Sequence, residues 1–162
     1  MLIRDATHAD LSQILAIFND VVTTTTAIYD QRESTLEERQ QWFDDRRQQG
    51  LPVLVAESEH EVIGFSSFGA WRARWGYRHT VEHSVHVRAD RRGQGIGRAL
   101  IEALFPRAAA LDMHVMIAHI DTEATRSLRL HERLGFESVG TFRQVGRKFD
   151  RWLDLVAMQR DL

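Results

Sequence analysis

The chain has 162 residues, a formal net charge of −2 and no cysteine. That length suits one domain with a sizeable core, so residues 1–162 are read as a single domain. Without cysteine there are no disulfides, no thiolate metal sites and no cysteine nucleophile. Nothing in the overall charge attracts nucleic acid or an anionic membrane. Met1-Leu2-Ile3-Arg4-Asp5 carries no signal pattern, and no apolar run approaches the roughly 20 residues of a membrane helix. The expectation is a cytoplasmic protein that binds neither nucleic acid nor membrane.

Leu2 to Arg4 read as a first strand. Thr7 with Asp10 forms a helix start, and Leu11, Ile14, Leu15 and Phe18 then fall at helical spacing to about Val22. The polar stretch Thr23 to Ser34 reads as a loop, and Thr35 with Glu38 as a capping box for a second helix that ends near Gln49 before Gly50. Arg46 and Arg47 on that helix read as a solvated face. Val53 to Glu57 and Val62 to Ala70 form a hairpin about Glu59-His60-Glu61. Trp71 to His79 is an aromatic, arginine-rich loop, and Thr80 to Val87 a strand. Ile96, Leu100, Ile101, Leu104 and Ala108 mark a third helix. His114 to Ile120 is a strand, Thr125 to Leu134 a helix closed by Gly135, and Phe136 to Phe142 and Trp152 to Met158 are two last strands. The order β-α-α-β-β-β-α-β-α-β-β predicts an α/β fold with a mixed sheet of about seven strands and helices on both faces.

One junction carries chemistry. Ser84-Val85-His86-Val87 runs through Arg88 to Arg92 into Gly93-Gln94-Gly95-Ile96-Gly97 and then a helix. The first helix amides have no internal partners, the helix dipole adds positive character, and glycine lets the backbone approach a phosphate. Arg91, Arg92 and Arg98 add charge. Glycines alone also fit a plain strand-to-helix turn. The spacing is neither a full dinucleotide fingerprint nor a P-loop.

Arg92, Gly95 and Gly97 after a Val-x-Val strand resemble the acetyl-CoA pyrophosphate loop of the GNAT acetyltransferases. Ser127-Leu128-Arg129-Leu130-His131-Glu132-Arg133-Leu134-Gly135-Phe136 resembles that family's second cofactor motif. Within the family the chain is similar to the phosphinothricin and methionine sulfoximine acetyltransferases, through Pro52 to Val55, Ser67-Phe68-Gly69, Trp71-Arg72, His79 to Val85 and Gln144 to Asp154. The resemblance implies a GNAT fold, acetyl-CoA as cosubstrate, and acetylation of the α-amino group of a small amino-acid-like acceptor carrying a phosphinate, sulfoximine or sulfone; the competing readings are a GNAT enzyme for a polyamine, an aminoglycoside or a protein N-terminus, and a non-catalytic acyl-CoA-binding sensor. It also implies a homodimer. Two departures stand out. Ala124 occupies the place of a common Asn that contacts the pantetheine arm, and Phe149 that of a His found in some phosphinothricin enzymes.

On that resemblance Glu82 is the expected general base; a solvated or arginine-paired strand carboxylate is the competing reading. An amide at Val85 or Val87 would face the charge that develops on the thioester oxygen. His131 stands where many GNAT enzymes have Tyr and either protonates the leaving thiolate or only packs near it. The cofactor set is Val85, His86, Val87, Arg92, Gly93, Gln94, Gly95, Ile96, Gly97, Arg98, Ala124 and Ser127. The acceptor set is Tyr29, Trp71, Arg72, Arg74, Glu82, His83 and Ser84, with the arginines suited to a carboxylate or phosphinate. Alternation sends His83 and His86 to opposite faces, and no second ligand cluster is present, so no metal is expected.

Overall fold

The computed structural model describes residues 1–162. Its regular elements are β1 (Leu2–Asp5), α1 (Leu11–Thr24), α2 (Leu36–Gln48), β2 (Val53–Ser58), β3 (Glu61–Ala70), β4 (Thr80–Val87), α3 (Ile96–Ala110), β5 (Val115–Asp121), α4 (Thr125–Arg133), β6 (Glu137–Lys148) and β7 (Arg151–Asp161). This is the predicted order. The strands form one seven-stranded sheet in the order β1-β2-β3-β4-β5-β7-β6. Every neighbouring pair is antiparallel except β4 and β5, which are joined through α3 and run parallel.

Local chemistry accounts for the boundaries. Thr35 Oγ1 accepts from the Glu38 amide and Glu38 Oε2 from the Thr35 amide, so the predicted capping box opens α2. The Thr7 start is offset: a 3-10 turn spans His8–Asp10, and α1 proper begins at Leu11. Buried Asp10 accepts from the Thr7 amide at 2.7 Å and from both Arg4 Nη atoms at 2.8 Å, which fixes α1 to β1. The β2–β3 turn places Glu59 and His60 at φ 53° and 64°, the left-handed pair that matches the twist of a two-residue hairpin.

Helices cover both faces of the sheet. On one, α1 and α2 bring Leu11, Ile14, Ile17 and Phe43 against Val53, Val55, Val62 and Phe65. On the other, Ile96, Leu100, Ile101 and Leu104 of α3 pack on Leu54, Ile63, Val81, Met116 and Ala118. The largest departure from expectation is β6. It does not stop at Phe142 but runs to Lys148, with register irregularities between Ser138 and Gly140 and between Phe142 and Gly146. An extra stretch of chain absorbed in a bulge breaks the two-residue alternation on which strand recognition depends.

Candidate active site

The parallel pairing of β4 and β5 is short. Only Thr80, Val81 and Glu82 pair with Val115, Met116 and Ile117, although β4 continues to Val87 and β5 to Asp121. Beyond Glu82 the strands diverge and leave a wedge in the sheet. The Arg88 amide bonds Ile63 O on β3, so alternation turns the amides of Val85 and Val87 toward the vacated β5 side.

Three cavities line this wedge, of about 270, 470 and 490 Å³. Val85 and Ser127 belong to all three, so they form one continuous path. The outermost part lies at the glycine loop. Gly93 and Gly95 have φ 80° and 82°, and Gly95 caps α3 without a side chain in front of the first helix amides. A Cβ at either glycine would meet no neighbour, so the backbone angle and not space requires glycine there. Gly97 has an ordinary φ, and a Cβ there would make only normal contacts. Around these amides stand Arg91, Arg92, Arg98, Arg126 and Arg133. Arg126 and Arg133 come from α4 and were not singled out from the sequence, although their seven-residue spacing puts both on one helical face. Gln94 does not line the groove.

The innermost part is lined by Glu82, His83, Ser84, Val85 and His86 of β4, by His119 and Asp121 of β5, by Ala124, Ser127 and His131, and by Ala27 and Ile28. His131 Nδ1 lies 2.7 Å from the Ser127 carbonyl, which can only accept, so Nδ1 carries the proton. His131 Nε2 is therefore the acceptor in its 3.1 Å contact with His83 Nε2, which must donate. The lone pair left on His83 Nδ1 has no partner. Burial lowers the pKa of both rings, and the two stack with centroids 5.1 Å apart. Burial, with the charges of Arg39 and Arg92, pushes His86 down to about 4. All three rings are neutral at pH 7.

Glu82 does not stand alone. Its Oε1 lies 2.8 Å from His119 Nδ1 on β5. Register explains the contact: Glu82 is opposite Ile117, and His119 is the next residue on that face of β5. Asp121 follows on the same face, buried, with Oδ1 accepting from the Glu123 amide and Oδ2 without a partner. Opposite Glu82 on β3 is Gly69, where a Cβ would strike the Arg46 guanidinium. Arg46 is thus packed over the sheet beside Glu82 and is not the solvated residue expected.

The remaining acceptor-set residues do not line this cavity. Arg72 and Arg74 line a shallow depression with Ala73 and Tyr77, and Arg72 stacks on Trp71 at 4.6 Å. Tyr29 packs on Gly146, where no side chain would fit, and its hydroxyl pKa is pushed up to about 12 by burial and by Asp121 and Asp154. Its loop, which supplies Ala27 and Ile28 to the cavity, is held by Lys148. That buried ammonium donates to the carbonyls of Val22, Thr25 and Ile28, the last two at 2.7 Å.

A strand wedge opening onto an arginine-lined helix N-terminus suits an acyl-CoA donor, and comparison with known proteins gives the class and the family. A model described as an acetyltransferase (GNAT) domain matches residues 3–157. The chain belongs to the GNAT acetyltransferases. It is 53% identical over 161 residues to an L-methionine sulfoximine/L-methionine sulfone acetyltransferase of Pseudomonas aeruginosa, covering 99% of this chain and 94% of that one. It is 35% identical to a phosphinothricin N-acetyltransferase of Streptomyces coelicolor, over 99% of this chain and 95% of that protein. An acetyltransferase from Salmonella typhimurium, solved with its cofactor acetyl-CoA, superposes with a TM-score of 0.98 at 44% identity, covering 100% of this chain and 94% of the other. No helix is long and apolar enough to cross a membrane.

Proposed function

We propose that the protein transfers the acetyl group of acetyl-CoA to the α-amino group of a small amino-acid-like acceptor of the methionine sulfoximine, methionine sulfone or phosphinothricin type. The observation that carries this reading is the continuity of the wedge: Val85 and Ser127 line both the arginine groove and the Glu82 cavity. The residues present fit the donor. Five arginines and the uncapped amides of α3 suit its phosphates, and the free amides of Val85 and Val87 suit a thioester oxygen. The substrate classes of the relatives support the acceptor.

The two substrates bind together. Removal of the α-ammonium proton depends on Glu82, acting as base directly, through a water or through a group that it holds. No covalent enzyme intermediate is required, in keeping with a chain that lacks cysteine. His131 takes the packing role: its one N–H is engaged by Ser127 O and its Nε2 by His83. The exposed apolar side chains of the β6–β7 hairpin (Val139, Phe142, Val145, Phe149 and Trp152) support a homodimer.

Glu82→Gln provides the test, with L-methionine sulfone as acceptor and free CoA as readout. The expected result is a fall in kcat/KM of about 10²- to 10⁴-fold, with acetyl-CoA affinity unchanged. A wild-type protein that acetylates nothing in a panel of amino acids and their sulfone, sulfoximine and phosphinate analogues would overturn the reading.

A further inference from the structure

The contact between Glu82 and His119 joins a carboxylate to one nitrogen of an imidazole and leaves the other nitrogen free. His119 Nδ1 lies 2.8 Å from Glu82 Oε1. A carboxylate oxygen only accepts, so Nδ1 carries the hydrogen and donates it. Nε2 then holds a lone pair. It has no protein partner, and the half-buried ring lines the cavity. This is the tautomer and orientation that a carboxylate imposes on an imidazole acting as a base.

Given the acetyl transfer proposed above, on which this step depends, we infer that His119 is a catalytic residue and that its Nε2 accepts the proton of the acceptor's α-ammonium, with Glu82 Oε1 orienting the ring and stabilising the imidazolium that forms. The proton balance closes. One N–H bond of R–NH₃⁺ breaks and an Nε2–H bond forms. The freed amine lone pair makes the C–N bond to the thioester carbonyl as the C–S bond breaks. A second proton leaves the nitrogen and ends on the CoA sulfur. One proton per turnover then leaves Nε2 for solvent along the cavity.

Charged and titratable groups face this spot from several elements. Asp121 follows His119 on the same face of β5, with a buried oxygen that has no partner. From β4 the cavity receives His83 and His86, and from α4 His131, all held neutral by burial. Tyr29 of the α1–α2 loop and Asp154 of β7 stand near Asp121. Among the cations, Arg46 of α2 lies over Gly69 opposite Glu82, the Lys148 ammonium of β6 holds the Ile28 carbonyl at the cavity wall, and Arg39 and Arg92 lie near enough to His86 to lower its pKa.

The experiment compares wild type, His119→Gln and His119→Ala across about pH 5.5 to 9, with L-methionine sulfone and acetyl-CoA. At pH 7 both variants are expected to lose about 10²-fold in kcat/KM for the acceptor. Acetyl-CoA affinity and the melting transition should stay near the wild-type values. If His119 takes the proton, the wild-type profile has an acid limb that both variants lose, and added imidazole restores part of the rate of His119→Ala. Wild-type rates and an unchanged acid limb in the variants would overturn the inference. So would a loss that imidazole does not rescue and that leaves the limb in place, because a structural role alone predicts that pattern. If wild type acetylates no amine, the proposed function falls with it. If wild type is active and the variants match it, only the role of His119 falls.

Discussion

The donor groove and the acceptor cavity share β4 but are built by different means. The groove is mainly backbone: glycines at φ 80° and 82°, the uncapped end of α3, and arginines that keep their charge at any pH the fold survives. The cavity is made of side chains, drawn from the α1–α2 loop, β4, β5 and α4, and most of its polar groups are histidines and carboxylates. One half therefore depends on local dihedral angles and fixed charge, the other on strand register and protonation. Perturbations that touch only register or only protonation should separate the two.

Acid separates them most strongly. His83 is held at about 3 and His86 at about 4, in each case chiefly by burial. Both folded values lie below the ordinary 6.5 or so of the unfolded chain, so their contribution to stability is fully present above about pH 6.5. It is lost as pH falls toward the folded values, because the unfolded chain binds the protons first. Two neutral rings correspond to a loss of about 3 kcal/mol between pH 6.5 and 5. Urea unfolding at those two pH values checks this. A denaturation midpoint that does not move over that interval would mean that the rings are not held neutral. Above the onset of unfolding, acetyl-CoA affinity should vary little with pH, since the groove side chains are guanidinium groups.

Lys148 offers a cut confined to the acceptor side. Its ammonium satisfies three carbonyls at the end of α1 and in the loop that supplies Ala27 and Ile28 to the cavity. Lys148→Met keeps much of the apolar stem but leaves those carbonyls unpaired, at an expected cost of about 2 kcal/mol. The acceptor KM should rise several-fold while acetyl-CoA affinity holds. Equal weakening of both substrates would show that the loop supports the whole wedge and not the acceptor half alone.

The same contrast explains what was legible in the sequence. The strand Thr80–Val87, the glycine loop and the start of α3 are contiguous, and their residue types announce their geometry. His119 was passed over because it sits inside an apolar strand. Only the register that sets Glu82 opposite Ile117 brings it to the carboxylate, and parallel register is set by tertiary packing across a long crossover. Arg126 and Arg133 carried a usable signal in their helical spacing, but their groove exists only once α4 docks beside Val85. Lys148 lies past a bulge, where the alternation that would have extended β6 is broken. Arg46 looked solvated because a helix of mostly polar residues shows no apolar face to orient it. The missing side chain of Gly69, on a distant strand, makes its space.

The smallest of these effects tests the donor side. Gly95 sits at φ 82° with nothing near the position of a Cβ, so Gly95→Ala meets a backbone penalty without a clash. The left-handed conformation costs a non-glycine residue about 1 kcal/mol, which the fold can meet by retaining the angle or by relaxing the loop. Retention would lower stability by that amount and leave donor binding alone. Relaxation would tilt the first amides of α3 and weaken acetyl-CoA binding by up to about 5-fold, since 1 kcal/mol corresponds to roughly that factor. In both cases the acceptor KM at saturating acetyl-CoA, and the pH profile, should match wild type, because none of the cavity's titrating groups touches the loop. A change in the pH profile of Gly95→Ala would show that the two halves of the wedge are mechanically coupled through β4. Isothermal titration with acetyl-CoA and a pH–rate series on the same preparation distinguish these outcomes.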